Sequence, residues 1–263
     1  MSNVLKVSPL EREGGEQFLS FLNGDGVRHV FTIYDLKHDR DKTRVWIARE
    51  DNEISGYLFE FDRRIIHTHG TVESVARLMR HIDLKEPTLV IEPHHLPVVE
   101  TFFEPVEPTD AASKGRITTY LVMKANGKSF KPLIRHKVKK LGAEDLKRVS
   151  ESFGEEWAER INNTIKRGVA YGAYEGDTLA STATTSEMLD RIALIRGVFT
   201  VPKFRGKGLA TSAVSALVQE IIALDKDAVL WVAEDNFSAR RVYEKLGFQR
   251  TENILLGFKA RRL

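Results

Sequence analysis

The residues best suited to chemistry in this 263-residue chain are Pro202-Lys203-Phe204-Arg205-Gly206-Lys207-Gly208-Leu209-Ala210, a loop between a strand-like run and the strongest helical pattern in the sequence. Glycines at 206 and 208 let the backbone curl so that successive N–H groups converge, and the start of a helix adds the positive end of its dipole, roughly half an elementary charge. Arg205 and Lys207 add full charges. Such a cradle suits an anion, and a diphosphate is its natural guest. A dinucleotide fingerprint needs a third glycine where Thr211 stands, although Asp225 and Asp227 lie near the acidic spacing of that motif. A Walker loop needs four residues between its glycines and a Lys-Ser/Thr after them, and neither is present. A tight strand-to-helix turn with solvated charges is the plain alternative.

Other reactive groups are few. The chain has no cysteine, which removes disulfides, thiolate catalysis, iron–sulfur clusters and cysteine-ligated zinc together. Seven of the eight histidines precede residue 131, leaving only His136 after it. His67-Thr68-His69 places two imidazoles on one face of a strand, and His94-His95 follows Glu92. Such pairs can bind zinc or nickel, but spacing fixes no third ligand, so they read as ordinary polar strand residues and no metal is expected.

Hydrophobic periodicity supplies the elements that would position the loop. A helical pattern over 142–168 carries Leu146, Val149, Phe153 and Trp157 at spacings of three and four. Strands 169–174 and 178–184 flank the turn Glu175-Gly176-Asp177 as a hairpin. The β-branched and aromatic run 192–201 is a third strand. Helix 208–224 follows, with Val214, Leu217, Val218, Ile221 and Ile222 on one stripe and Ala216, Gln219 and Glu220 off it. Strand 228–233 comes next, and Asn236 opens a helix with Ala239, Val242, Tyr243 and Leu246 inward and Gly247 as its cap. The same order recurs more weakly in the first half: strands 44–49, 54–61 and 65–68, helix 71–82, strand 88–91, helix 94–103 and strand 117–123. There, only His69-Gly70 stands between strand and helix. The basic stretch 131–140, containing Pro132, marks the expected junction, giving domains 1–131 and 132–263.

Two motifs, in order and on these elements, resemble the GNAT superfamily of acyl-CoA N-acyltransferases. They are V-P-x-x-R-G-x-G-x-A at 201–210 and L-x-V-x-x-x-N-x-x-A-x-x-x-Y-x-x-x-G-F at 230–248. The resemblance covers about residues 133–260. It implies an α/β fold with a mixed sheet of the α+β type, built as tandem GNAT-like halves, each a central mixed β-sheet flanked by helices. The first half would be a degenerate copy without the phosphate loop. It further implies a V-shaped opening between strands 192–201 and 228–233 that takes the pantetheine arm of acetyl-CoA. Phe199, Thr200 and Val201 would offer backbone groups to that arm, Arg205, Gly206, Lys207, Gly208, Leu209, Ala210 and Thr211 would hold the pyrophosphate, and Asn236 would lie near the thioester.

The implied reaction is direct attack of an amine on the thioester, with the oxyanion met by a backbone N–H near 199–201 and no covalent enzyme intermediate. Tyr243 stands where the family's general acid protonates the leaving thiolate and would also touch the cofactor; a packed core tyrosine is the alternative. Many relatives place a carboxylate or histidine on the fourth strand, and 192–201 contains neither. Glu234 and Glu187, acting through water, are the remaining bases. Phe153, Glu155, Glu156 and Trp157 would face the acceptor, although the acids also read as a charged helix face.

A hydrophobic share of 42% with 29% charged residues is ordinary globular composition, which excludes extended disorder and collagen-like chains. No apolar run reaches the roughly 18 residues of a membrane span, and no signal-peptide core is visible, so a soluble cytoplasmic protein is expected. The net charge of +3 divides unevenly: residues 1–131 carry 18 Lys+Arg against 20 Asp+Glu, and residues 132–263 carry 22 against 17. A polyphosphate ligand on the second half accounts for that bias better than nucleic acid, for which the tail Lys259-Ala260-Arg261-Arg262 is too short. The expected activity is N-acetyl transfer from acetyl-CoA to an amine; the alternative is a non-catalytic acyl-CoA-binding or scaffold protein.

Overall fold

A computed structural model describes residues 5–10, 15–106 and 117–263. In chain order the elements begin with β1 (Lys6–Pro9), α1 (Gly15–Asn23), α2 (Val30–His38), β2 (Thr43–Glu50), β3 (Glu53–Phe61), β4 (Ile65–Gly70), α3 (Val72–Leu78), β5 (Thr88–Ile91), α4 (Leu96–Val99) and β6 (Phe103–Pro105). They continue with β7 (Thr118–Ala125), β8 (Lys137–Lys140), α5 (Leu146–Phe153), α6 (Glu155–Ile165), β9 (Ala170–Glu175), β10 (Thr178–Met188), β11 (Ile192–Thr200), α7 (Leu209–Ala223), β12 (Asp227–Ala233), α8 (Phe237–Lys245) and β13 (Gln249–Arg262).

The chain forms two compact units, residues 1–121 with 252–263, and residues 122–251. This division differs from the expected one at 131/132. The last strand from residue 252 onward belongs with the first unit because its Leu256, Gly257, Phe258 and Lys259 pair with Ile91, Val90, Leu89 and Thr88 of β5. Leu256, Phe258 and Ala260 thereby enter the core formed by Leu58, Ile66, Val75, Leu78, Met79 and Leu89.

In the first unit the strand order is β1-β2-β3-β4-β5-β13. Antiparallel pairs flank one parallel pair, β4 with β5, whose crossover is α3. Asp51 and Asn52, both at positive φ, make the β2–β3 turn, as the twist of a two-residue hairpin requires. Helix α3 is shorter than the expected 71–82 and presents Ser74, Val75 and Leu78 inward while Val72 is exposed. The expected helix 94–103 shrinks to α4, because Pro93 and Pro97 suit only the first positions of a turn. Helices α1 and α2 were not foreseen from the periodicity.

The second unit has the order β8-β9-β10-β11-β12-β7, again with one parallel pair, β11 with β12. Helix α7 is buried nearly all round over its first ten residues, including the Ala216 expected off the stripe, whereas Ile222 is only half-buried. The reason is a strap on its outer side. Leu133 N–H donates to Ser215 Oγ at 2.8 Å and Arg135 N–H to Ser212 Oγ at 3.1 Å. The basic stretch 131–140 is therefore not a linker between domains; it crosses α7 and then pairs with β9 as strand β8.

Candidate functional site

Strands β11 and β12 pair from Ile192↔Asp227 to Ile195↔Leu230, and no further. β11 runs on to Thr200 and β12 to Ala233, so the two part and leave the expected opening. A bulge marks the start of the parting: between Thr182↔Phe199 and Thr184↔Arg196, one residue of β10 faces two of β11. Gly197 sits in the bulge at φ 59°, where a Cβ would lie 2.7 Å from Thr184 Oγ1. Threonine hydroxyls hold it: Thr182 Oγ1 donates to Gly197 O at 3.2 Å and Thr184 Oγ1 to Arg196 O at 2.9 Å. Trp157 Nε1 in turn donates to Thr182 Oγ1 at 3.2 Å.

Beyond the bulge, Val201 N–H donates to Ala180 O at 3.0 Å and Phe199 O accepts from Ser181 Oγ at 2.9 Å. Phe199 and Val201 therefore direct these backbone groups to β10, and Thr200 between them turns its own the other way.

The loop after β11 has the conformation that its glycines permit. Gly206 and Gly208 lie at φ 80° and 87°, and Gly208 is the N-cap of α7 with no side chain to satisfy the helix's first N–H groups. Among the loop and cap hydrogen bonds, none has a backbone donor between Gly206 and Thr211; the first is Ser212 N–H to Gly208 O at 3.1 Å. A run of six N–H groups, from Gly206, Lys207, Gly208, Leu209, Ala210 and Thr211, is thus left for an external acceptor. Arg205 Nε reaches Thr200 O at 3.3 Å, with its guanidinium 5.8 Å from the Phe199 ring centroid. Lys207 does not turn its charge into the cradle: its Nζ is 2.6 Å from Glu175 Oε1, and this bond holds the Glu175 carboxyl below the usual range. His136 is an unforeseen neighbour. Its Nε2 bonds Lys207 O at 2.9 Å and is the nearest atom to a Cβ at Gly208, 3.7 Å away. Contact between positions 136 and 207 follows from the strap, and no spacing in the sequence signals it.

Asn236 caps α8, its Oδ1 accepting from Ala239 N–H at 3.2 Å. Tyr243 is buried on α8, its ring 5.7 Å from that of Phe248, and burial pushes its phenol up to about 12. Glu187 lies within β10, which extends past the expected end at 184. Burial raises its carboxyl above the usual range, against the opposing pull of Arg196 at 3.9 Å, and it accepts a hydrogen bond from Ser186. Glu234 is exposed at the end of β12, its backbone carbonyl taken by Arg240 Nη1 at 2.7 Å. Phe153, Trp157 and Phe199 form a half-exposed aromatic group with centroids 5.3–6.3 Å apart. Glu155 and Glu156 are turned to Ser150 and Arg160, the charged-face arrangement.

The contrast with the first unit is local. There β4 leads straight into α3, whose N-cap Thr71 accepts from Ser74 N–H at 3.1 Å, so no comparable row of donors is presented.

Comparison with known proteins bears on the second unit most directly: the family model described as FR47-like protein matches residues 170–255. No curated protein matches the sequence. Among solved structures, a GNAT-family putative acetyltransferase from Novosphingobium aromaticivorans is 21% identical, with 78% of this chain and 88% of that chain covered and a TM-score of 0.52. A Drosophila protein is 13% identical with 98% and 99% covered and a TM-score of 0.70. A tandem GNAT protein from the clavulanic acid biosynthesis pathway is 16% identical with 98% of each covered and a TM-score of 0.60. At these identities the likeness is one of fold. No helix among the described residues is long and apolar enough to cross a membrane.

Proposed function

We propose that this chain, whose second half carries the GNAT fold, is an acyltransferase that moves an acetyl group from acetyl-CoA to an amine in a cytoplasmic setting. The observation that carries the reading is the run of six backbone N–H groups from Gly206 to Thr211 at the mouth of the β11–β12 opening. Oriented donors at a helix N-terminus suit a diphosphate, and the adjoining opening suits an extended arm leading away from it. Arg205 adds the full positive charge; Lys207 is partly neutralised by Glu175.

The chain's own residues then divide the work. Thr200 offers backbone groups to the arm and to the oxyanion that develops on the carbonyl. Asn236, at the head of α8, would lie near the thioester. The amine nitrogen bonds to the carbonyl carbon as the carbon–sulfur bond breaks, and Tyr243, protonated at neutral pH, gives its proton to the departing thiolate. Of the two candidate bases we favour Glu187, which would act through water, because burial raises its carboxyl above the usual range and so makes it a stronger base than an ordinary glutamate. Glu234 stands exposed at the end of β12. The aromatic group of Phe153, Trp157 and Phe199 borders the acceptor.

One observation favours a second reading, a protein that binds acyl-CoA without turnover: β11 places no carboxylate or histidine beside the opening. Calorimetric titration with acetyl-CoA, paired with a thiol-release assay over a panel of amines, separates them. Binding with release supports acyl transfer, binding without release supports the second reading, and no binding overturns both.

A further inference from the structure

The first unit holds a side-chain cluster that acyl transfer does not use. β5 ends at Ile91, and Glu92-Pro93-His94-His95 follows at once, beside the end of β4. One ligand-capable atom from each of Glu92, His94 and His95 lies within 4.8 Å of the other two. The third ligand that spacing could not fix is thus supplied by the turn itself, which folds a carboxylate onto the histidine pair.

The outer contacts of these groups are those of metal ligands. His95 Nε2 bonds the Gly70 carbonyl at 2.8 Å, and His94 Nε2 approaches the same oxygen at 3.3 Å. An imidazole whose Nε2–H is held by a backbone carbonyl has a fixed tautomer and a lone pair on Nδ1, the arrangement that orients metal-binding histidines. His94 Nδ1 lies 3.8 Å from Glu92 Oε2. Two ligands on a tetrahedral ion with bonds near 2.0–2.1 Å stand about 3.3 Å apart, so roughly half an ångström of closure joins this pair. Glu92 is braced on both oxygens, by His69 Nδ1 on Oε1 and by Arg28 Nη1 at 3.2 Å on Oε2. His95 Nδ1 meets the Thr68 hydroxyl at 3.0 Å, a rotor that turns away when the nitrogen ligates. His95 is buried, whereas the His94 side chain is 52% exposed and provides the way in.

We propose that Glu92, His94 and His95 form a site for one divalent transition-metal ion, with water completing the coordination. Two imidazoles and a carboxylate suit zinc, cobalt or nickel rather than magnesium or calcium, which want all-oxygen shells. The Arg28 charge beside the same carboxylate opposes the ion and so lowers the affinity.

The test uses the full chain without a histidine tag, titrated with cobalt(II) and followed by its visible absorption, with zinc(II) as competitor. One equivalent per chain is expected. His94→Asn, at a half-exposed position that leaves the fold intact by circular dichroism, should weaken binding about tenfold or more, and Glu92→Gln likewise. His81→Asn serves as a control and should leave binding unchanged. Absence of a cobalt band at millimolar metal, or a band that folded His94→Asn leaves unaltered, overturns the site and leaves these contacts as a polar latch at the end of β4.

Discussion

At the scale of single residues, burial decides what each candidate can do. Tyr243 is both a packed ring and a phenol pushed up to about 12, so the two sequence readings of it are compatible. Tyr243→Phe keeps the ring contact with Phe248 and removes only the proton. It should slow turnover about a hundredfold or more while acetyl-CoA affinity stays within about twofold; unchanged turnover would leave the tyrosine a packing residue. Burial also sets an acid limit on the first unit. It pushes the His29 imidazole down from 6.5 to about 3, with His69 adding to the effect, and the His67 imidazole to about 4. Between 6.5 and those values the unfolded chain takes up protons that the folded chain does not. Stability present above pH 6.5 is therefore lost as pH falls toward 4, by about 1.4 kcal/mol per pH unit for each histidine. Urea unfolding should show a lower midpoint at about pH 5 than at about pH 7.5, and equal midpoints would mean that these imidazoles are solvated. Local conformation was legible where the backbone demanded the residue type, as at Gly206 and Gly208, both at positive φ. Contacts were illegible where a partner came from far along the chain, as Glu175 does for Lys207 and His136 does for the loop.

At the scale of elements, two strand-to-helix junctions show what the loop contributes. Helix α3 begins on a threonine cap that answers its own N–H groups, and α7 begins on a glycine that answers none. Gly208→Asp would impose a side chain at φ 87°, fill the cradle with a carboxylate and supply an internal cap. Acetyl-CoA affinity should fall roughly tenfold or more, since a loss of about 1.4 kcal/mol already gives tenfold. Titration that finds unchanged affinity would move the phosphates elsewhere. The hairpins, β11 and α7 were readable because alternation and helical period are strong in them. Helices α1 and α2 were not: α1 buries only Phe18 and Leu22, and α2 buries Thr32 and Asp35 alongside Val30 and Ile33, which blurs the apolar stripe. Strand β8 carries three lysines in four residues and reads as a linker, yet an edge strand with charged side chains is a common way to keep an edge from pairing further.

At the scale of the whole molecule, the repeated order of elements was legible and its arithmetic was not. The main strand path of each unit has six strands with one parallel pair, but the sixth in the first unit is β13, which the expected boundary at 131/132 assigns to the other half. Pairing partners so distant leave no local signal. Deleting residues 252–263 should therefore damage the first unit selectively, because it removes Leu256, Phe258 and Ala260 from that core. Each large apolar side chain contributes about 1.5–3 kcal/mol, so the truncated chain should lose a thermal transition or melt markedly earlier. An unchanged melting profile would show that β5 needs no partner. The same pairing puts a delay into biosynthesis. Leu256 meets Ile91, and a ribosome adding about 5–20 residues per second needs roughly 10–30 s between the two. Throughout that interval the nascent first unit carries β5 as an open edge, a template for any passing strand.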